Sequence, residues 1–280
     1  PVEKDLIFNT DSQQAVAIQG KIYLLPTSFS RKDDGKFAIG IYDIASNSWE
    51  VKILTNLDMV KNHWENEHNG LLDMPVISLD DEIYFVGGRY YTGKYNTDYI
   101  GITAEIFASN EVFIYSPLTD AWRKGPSLLV GRSNSALGQH NNRIYSAYGN
   151  YGDLTPFRQN IDPYKKTPVV EYLDLTLNKW VQTKNFPDMN FINPPNMVDI
   201  DGALYLFGRY QTIDKDPDDN WKDIIVQAYA YDEASTEWKF VSQQFDITNL
   251  TGVIGMGSSA YLLGGARDST YITEFVPKPK

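Results

Sequence analysis

The sequence predicts an all-β chain built from five copies of one four-stranded antiparallel unit, and two registers of repetition carry that reading. In the first, an apolar strand with a central tyrosine recurs as Ile22-Tyr23-Leu24-Leu25, Ile83-Tyr84-Phe85-Val86, Ile144-Tyr145-Ser146-Ala147, Leu204-Tyr205-Leu206-Phe207 and Ala260-Tyr261-Leu262-Leu263. These tyrosines stand 61, 61, 60 and 56 residues apart. In the second, a Tyr strand, a polar turn and a Trp recur as Tyr42 to Trp49, Tyr115 to Trp122, Tyr172 to Trp180 and Tyr231 to Trp238.

Each element follows from local chemistry. Polar turns lead into four of the five tyrosine strands (Gln19-Gly20-Lys21, Asp80-Asp81-Glu82, Asn141-Asn142-Arg143, Asp199-Ile200-Asp201-Gly202), which is hairpin chemistry feeding a buried strand. The turns Ala45-Ser46-Asn47-Ser48, Leu118-Thr119-Asp120, Thr176-Leu177-Asn178-Lys179 and Ala234-Ser235-Thr236-Glu237 then separate the third strand from the Trp strand. The units run over about 11–58, 59–128, 129–187, 188–246 and 247–280, the last with 1–10, in one domain of residues 1–280.

These marks resemble the kelch repeat: an apolar strand ending in Gly-Gly, a Tyr-Asp strand, a turn and a Trp. Gly87-Gly88 and Gly264-Gly265 keep the doublet, Gly149 and Gly208 keep one glycine, and Pro26-Thr27 replaces it in the first unit. The resemblance implies one repeat per blade of a β-propeller, here five-bladed. Units near 60 residues exceed the roughly 50 of a kelch blade, so some loops are extended. The fifth unit stops after Tyr271-Ile272-Thr273-Glu274-Phe275-Val276 without a Trp strand, and Asp5-Leu6-Ile7-Phe8-Asn9 is expected to supply it. Closure of this kind leaves only short, protected strand edges.

Composition narrows the function classes. The 280 residues include no cysteine, which excludes disulfides, thiolate metal sites and cysteine nucleophiles. With 25 Lys and Arg against 36 Asp and Glu, the net charge is −11, and no basic run points to nucleic acid or an anionic membrane. No apolar stretch is long enough for a membrane helix, so no membrane insertion is expected. Pro1 in place of Met, the sequon Asn249-Leu250-Thr251 and the missing cysteines are read as an exported chain, secreted or periplasmic.

Loops between second and third strands, and those leading into first strands, share one face of such a fold and hold residues that the repeat does not explain. One runs from Gly88 to Glu105 with Arg89, Tyr90, Tyr91, Tyr95 and Tyr99. Others carry Tyr151, Phe157, Arg158 and Tyr164, or Tyr210 and Trp221, and the second unit opens with His63-Trp64-Glu65-Asn66-Glu67-His68. Tyr, Trp and Arg dominate binding hot spots, while aromatics also order long loops by packing as satellite cores; both readings stand. Arg89, Arg209 and Arg267 follow the glycine strand ends, and Arg132 leads into the third unit. Together they suit a cationic ring for a carboxylate, or each ties a neighbouring acid.

Metal and catalytic templates fit poorly. His63 and His68 lack helical pair spacing, and Asp214 to Asn220 alternates oxygen ligands but has Asp219 where a calcium loop needs glycine; no metal is assigned. The kelch oxidase branch needs a cysteine-linked tyrosine, and the iron-dependent specifier branch needs a Glu, Asp and His arrangement absent here. No nucleophile elbow, phosphate loop or dinucleotide fingerprint occurs, and no cofactor is expected. The sequence therefore reads as a non-catalytic binding module for a protein segment, glycan or small-molecule ligand. The alternative is a sugar-processing hydrolase or mutarotase with Asp73, Glu105, Asp153 or Glu171 in a central well.

Overall fold

The computed structural model describes residues 13–27, 29–30, 37–54, 70–92, 105–151, 167–184, 191, 195–211, 224–242, 247, 250–266 and 269–277. Among them every regular element is a strand, and no helix is long and apolar enough to cross a membrane. The expected Asp5–Asn9 strand lies outside the described residues. The chain divides into two compact units, Pro1–Asn134 with Gly149–Thr167 and Asn178–Trp180, and Ser135–Tyr148 with Pro168–Leu177 and Val181–Lys280.

The first unit holds two antiparallel meanders whose spatial order follows the chain. One comprises Gln13–Ile18, Lys21–Pro26, Phe37–Asp43 and Ser48–Leu54; the other comprises Val76–Leu79, Glu82–Val86, Val112–Ser116 and Ala121–Lys124. The second unit repeats the pattern. Ala136–His140, Arg143–Ala147 and Glu171–Asp174 pair in chain order, and Asn196–Ile200, Ala203–Gln211, Ile224–Asp232 and Glu237–Ser242 form a full meander. The last sheet, Leu250–Met256, Ser259–Ala266 and Ser269–Phe275, has three strands among the described residues.

The predicted turns adopt the backbone that sets this register. Gln19 and Gly20, Asp80 and Asp81, Asn141 and Asn142, and Asp201 and Gly202 all have positive φ, the type I′ signature whose twist matches the flanking strands. In the second set of turns Asn47, Asp120, Asn178 and Thr236 are left-handed. Here the Asp of the Tyr-Asp pair closes the turn: Asp43 Oδ1 accepts from Ser46 N at 2.9 Å, Asp174 Oδ1 from Leu177 N at 2.9 Å, and Asp232 Oδ1 from Ala234 N at 3.1 Å. Where Ser116 replaces that Asp, the Tyr115 hydroxyl donates to Asp120 Oδ1 at 2.8 Å. The turn places three of these Tyr opposite their Trp, with ring centroids 5.0 Å apart for Tyr42 and Trp49, 4.9 Å for Tyr115 and Trp122, and 5.2 Å for Tyr231 and Trp238.

Successive sheets meet along their first strands. In the first unit Val76 N donates to Gln14 Oε1 and Gln19 Nε2 to Asp81 Oδ2, both at 2.6 Å, above a core of Val16, Tyr23, Ile39, Val76, Phe85 and Phe113. In the second unit Asp201 N donates to Gly257 O at 3.1 Å, and two cores form around Tyr145, Met197, Leu204 and Trp238 and around Phe207, Val226, Leu250 and Leu262. The approach is close enough that a Cβ on Gly255 would lie 2.5 Å from the Asp199 carbonyl oxygen.

One expectation changes. The segment from Gly88 to Glu105, read as loop, begins and ends in strand: Arg89–Thr92 pairs with Glu105–Ala108, joined by Gly70–Leu72 and Phe29–Ser30 in a second small sheet. Tyr90 lies opposite Phe107 and stacks on it at 5.8 Å, so a cross-strand aromatic pair extends the ladder beyond the glycines. Likewise Asn150–Tyr151 pairs with Arg132–Ser133.

Two outcomes follow from this packing. Gly255→Ala forces a side chain against a backbone carbonyl and costs about 1–3 kcal/mol in urea unfolding, whereas Gly252→Ala, whose Cβ would meet nothing within 4 Å, is close to neutral. Burial pushes the Tyr145 and Tyr229 hydroxyls up to about 12 from 10.0 and raises Tyr115 and Tyr148 as well. A raised folded value means stability that is complete below pH 10 and is lost as pH climbs from 10 towards 12. Alkaline titration followed by phenolate absorbance and circular dichroism is expected to show these tyrosines ionising together with unfolding.

Candidate functional site

The glycine strand ends position the arginines and tyrosines singled out in the sequence. Gly87 and Gly88 have φ of 70° and 97°, and a Cβ on them would lie 2.3 Å from Arg132 O and 2.8 Å from Leu72 O, so only glycine fits. Gly88 N donates to Arg132 O at 2.8 Å, and Arg132 N to Ser109 O at 2.9 Å. The strand then turns outward at Arg89, whose Nε lies 2.5 Å from Asp73 Oδ2, with both side chains partly exposed. Asp73 itself holds a left-handed backbone (φ 54°).

Arg132 takes a different place from Arg89. Its side chain is fully buried and its Nε donates to Val130 O at 3.2 Å, so in this unit it belongs to the interior. Tyr151, directly opposite it in the ribbon, is half-buried. Tyr90 is half-buried against the first core. The Tyr91 side chain, Tyr95, Arg158, Trp221, Arg267, His63 and Trp64 lie outside the described residues, as do the two loops weighed for metals. Among the described residues no group of three His, Asp or Glu side chains is placed to hold a metal.

The second unit repeats the arrangement with other means. Gly208 has no unusual backbone; a Cβ there would lie 2.4 Å from the Phe191 ring, so the glycine makes room for an aromatic. Phe191 in turn bridges Tyr210 and stacks edge-on against Tyr148 at 5.4 Å, and the Tyr148 hydroxyl donates to its carbonyl at 2.5 Å. Tyr148 stands where the second repeat has Gly87 and keeps the same left-handed backbone, φ 62° against 70°, a strained state for a bulky residue that its burial and hydrogen bond offset. Beyond Gly208, Arg209 and Tyr210 are half-buried, and desolvation holds the Arg209 guanidinium below its ordinary value. Gly-Arg-Tyr thus recurs at residues 88–90 and 208–210, with the arginine and tyrosine partly exposed in each unit.

The carboxylates considered for catalysis are differently disposed. Asp73 is paired with Arg89 and Glu171 is fully buried, while the Glu105 side chain and Asp153 lie outside the described residues. The second unit also contains a cleft of about 360 Å³ that the sequence reading did not single out. Arg143, Tyr145, Tyr172 and Tyr231 line it with Glu233, yet in the sequence they read as turn and scaffold residues.

No family model and no curated protein matches this chain. Among solved structures, one titled "Structure of YjhT" is similar in fold, with a TM-score of 0.57 and 14% identity, covering 90% of this chain and 72% of that one.

The contrast between the two arginines is measurable. Arg89→Ala removes a partly exposed pair and costs less than about 1 kcal/mol, while Arg132→Ala removes a fully buried side chain and leaves the Val130 carbonyl without its donor, at a cost of about 1–3 kcal/mol; chemical denaturation distinguishes them.

Proposed function

We propose that the chain is a five-bladed, kelch-like β-propeller that acts as an exported, non-catalytic binding module. The Asp5–Asn9 segment adds the fourth strand to the last sheet, where Ile272 and Val276 of the outermost described strand region are exposed. The five tyrosine strands, the four Tyr and Trp turns and the type I′ hairpins support the blade reading. A protein segment, glycan or small ligand binds at the glycine strand ends. The observation that carries this reading is the recurrence of Gly-Arg-Tyr at 88–90 and 208–210 with the arginine and tyrosine partly exposed in each unit. A rigid strand end presenting a planar cation beside an aromatic is a hot-spot composition on a preorganised scaffold. Sugar hydrolysis needs two carboxyl groups open to substrate, and of the described candidates Asp73 is paired with Arg89 and Glu171 is fully buried, which supports binding.

Screening the full chain on glycan and peptide arrays, then repeating with Arg209→Ala, Tyr210→Ala and Tyr90→Ala, tests this. Each variant is expected to lose about tenfold or more in affinity while keeping its circular dichroism spectrum. Undiminished binding in all three would place the ligand elsewhere and overturn the reading.

A further inference from the structure

We propose that the second unit carries a separate site for a small, neutral, polyhydroxylated ligand, a pyranose sugar in chemical class, in the cleft lined by Arg143, Tyr145, Tyr172, Gln182, Glu233 and Thr236. This inference does not rest on the loop-face reading, because none of these residues belongs to the glycine strand ends.

Size comes first. At about 360 Å³ the cleft stands at the low end of small-molecule pockets and suits one ring. Its walls are three tyrosines packed on one another, with Tyr145 centred 5.6 Å from Tyr172 and 5.5 Å from Tyr231. Tyr145 and Tyr231 are buried while Tyr172 is half-buried, so a rigid aromatic wall reaches from the core to the surface.

Charge decides the ligand class. Lys184 is matched by Glu237, Nζ to Oε1 at 2.7 Å, which leaves Arg143 and Glu233 as opposite charges on the lining. The cleft is thus electrically balanced, a poor environment for a ligand with net charge of either sign. Both residues are held in place. The Arg143 guanidinium lies over the Tyr172 ring at 4.6 Å and hydrogen-bonds to Tyr145, and Glu233 Oε1 sits 3.3 Å from Nε2 of the buried His140, whose Nδ1 is 2.5 Å from Asp199 Oδ2. Around them the Gln182 amide both donates and accepts, while the Thr183 and Thr236 hydroxyls, which donate to Lys184 O at 3.0 Å and Ser235 O at 2.7 Å, present oxygens that accept. Fixed donors beside fixed acceptors complement hydroxyl groups, which do both, better than they complement an anion, a cation or an apolar molecule.

Calorimetric titration of the full chain with glucose, galactose, mannose and N-acetylglucosamine, and with glucuronate and glucosamine as charged counterparts, tests the proposal. At least one neutral sugar is expected to bind with a Kd of about 1 mM or tighter. Glu233→Gln and Gln182→Ala, both exposed positions whose folding thermal melting checks, are each expected to weaken it about fivefold or more. Arg123→Ala, an exposed first-unit position outside both sites, is expected to leave it unchanged. The proposal is overturned if no neutral sugar binds, if glucuronate or glucosamine binds more tightly than every neutral probe, or if both cleft variants bind undiminished. Loss of sugar binding in the Tyr90 and Tyr210 variants alone would overturn this site while supporting the loop face.

Discussion

Left-handed backbone at the ends of strands is the constraint on which the rest of this structure depends. Gln19, Asp80 and Asn141 hold it at intervals of 61 residues, and so do Asp73 and Asn134, Gly87 and Tyr148, and Gly88 and Gly149. Each such residue reverses or redirects the chain with a twist that matches antiparallel strands. A slip of one residue at any of these turns would move every core side chain to the opposite face, so turn geometry fixes which residues are buried. The Tyr and Trp pairs then lock the outer strands, because they meet only when the turn between them has its defined length.

Polarity at the sheet junctions follows from the same geometry. First strands of neighbouring sheets approach until glycine is the only residue that fits at position 255, and the polar groups brought there must find partners. They do so by side chains: Gln14 with Val76 and Gln19 with Asp81 in one unit, His140 with Asp199 and Glu233 in the other. These bonds also tie the ends of the strands, and the His140 contact reaches Glu233 on the lining of the cleft in the second unit. A binding surface made from such residues costs little conformational entropy on occupation.

Glycine at the strand ends serves two physical ends. At Gly87 and Gly88 it supplies both the left-handed turn and room beside backbone carbonyls, while at Gly208 it only makes room for the Phe191 ring. Tyr148 shows that the turn alone can be met by another residue when burial and a hydrogen bond offset the strain. Degeneracy of the Gly-Gly doublet in this chain is therefore tolerated in a way that depends on what occupies the space beside each strand end.

The repeated elements were legible in the sequence because their causes are local: alternation of apolar residues, Asn, Asp and Gly at turns, and Tyr and Trp seven or eight residues apart across them. Strand order within each meander follows from those short connections. What lay beyond reading were features that join residues distant in the chain. The extension of Arg89–Thr92 and Glu105–Ala108 into a ribbon depends on Tyr90 meeting Phe107, the placement of Arg132 in the interior depends on its carbonyl accepting from Gly88, and the cleft beside Tyr172 exists only because Glu233 of the next repeat is packed against it. Sequence by itself determined the strands, turns and repeat, since these are set by neighbours along the chain. Tertiary structure alone decided which arginines face outward and where the tyrosines leave a space, since burial and pairing are set by side chains that come from distant parts of the chain.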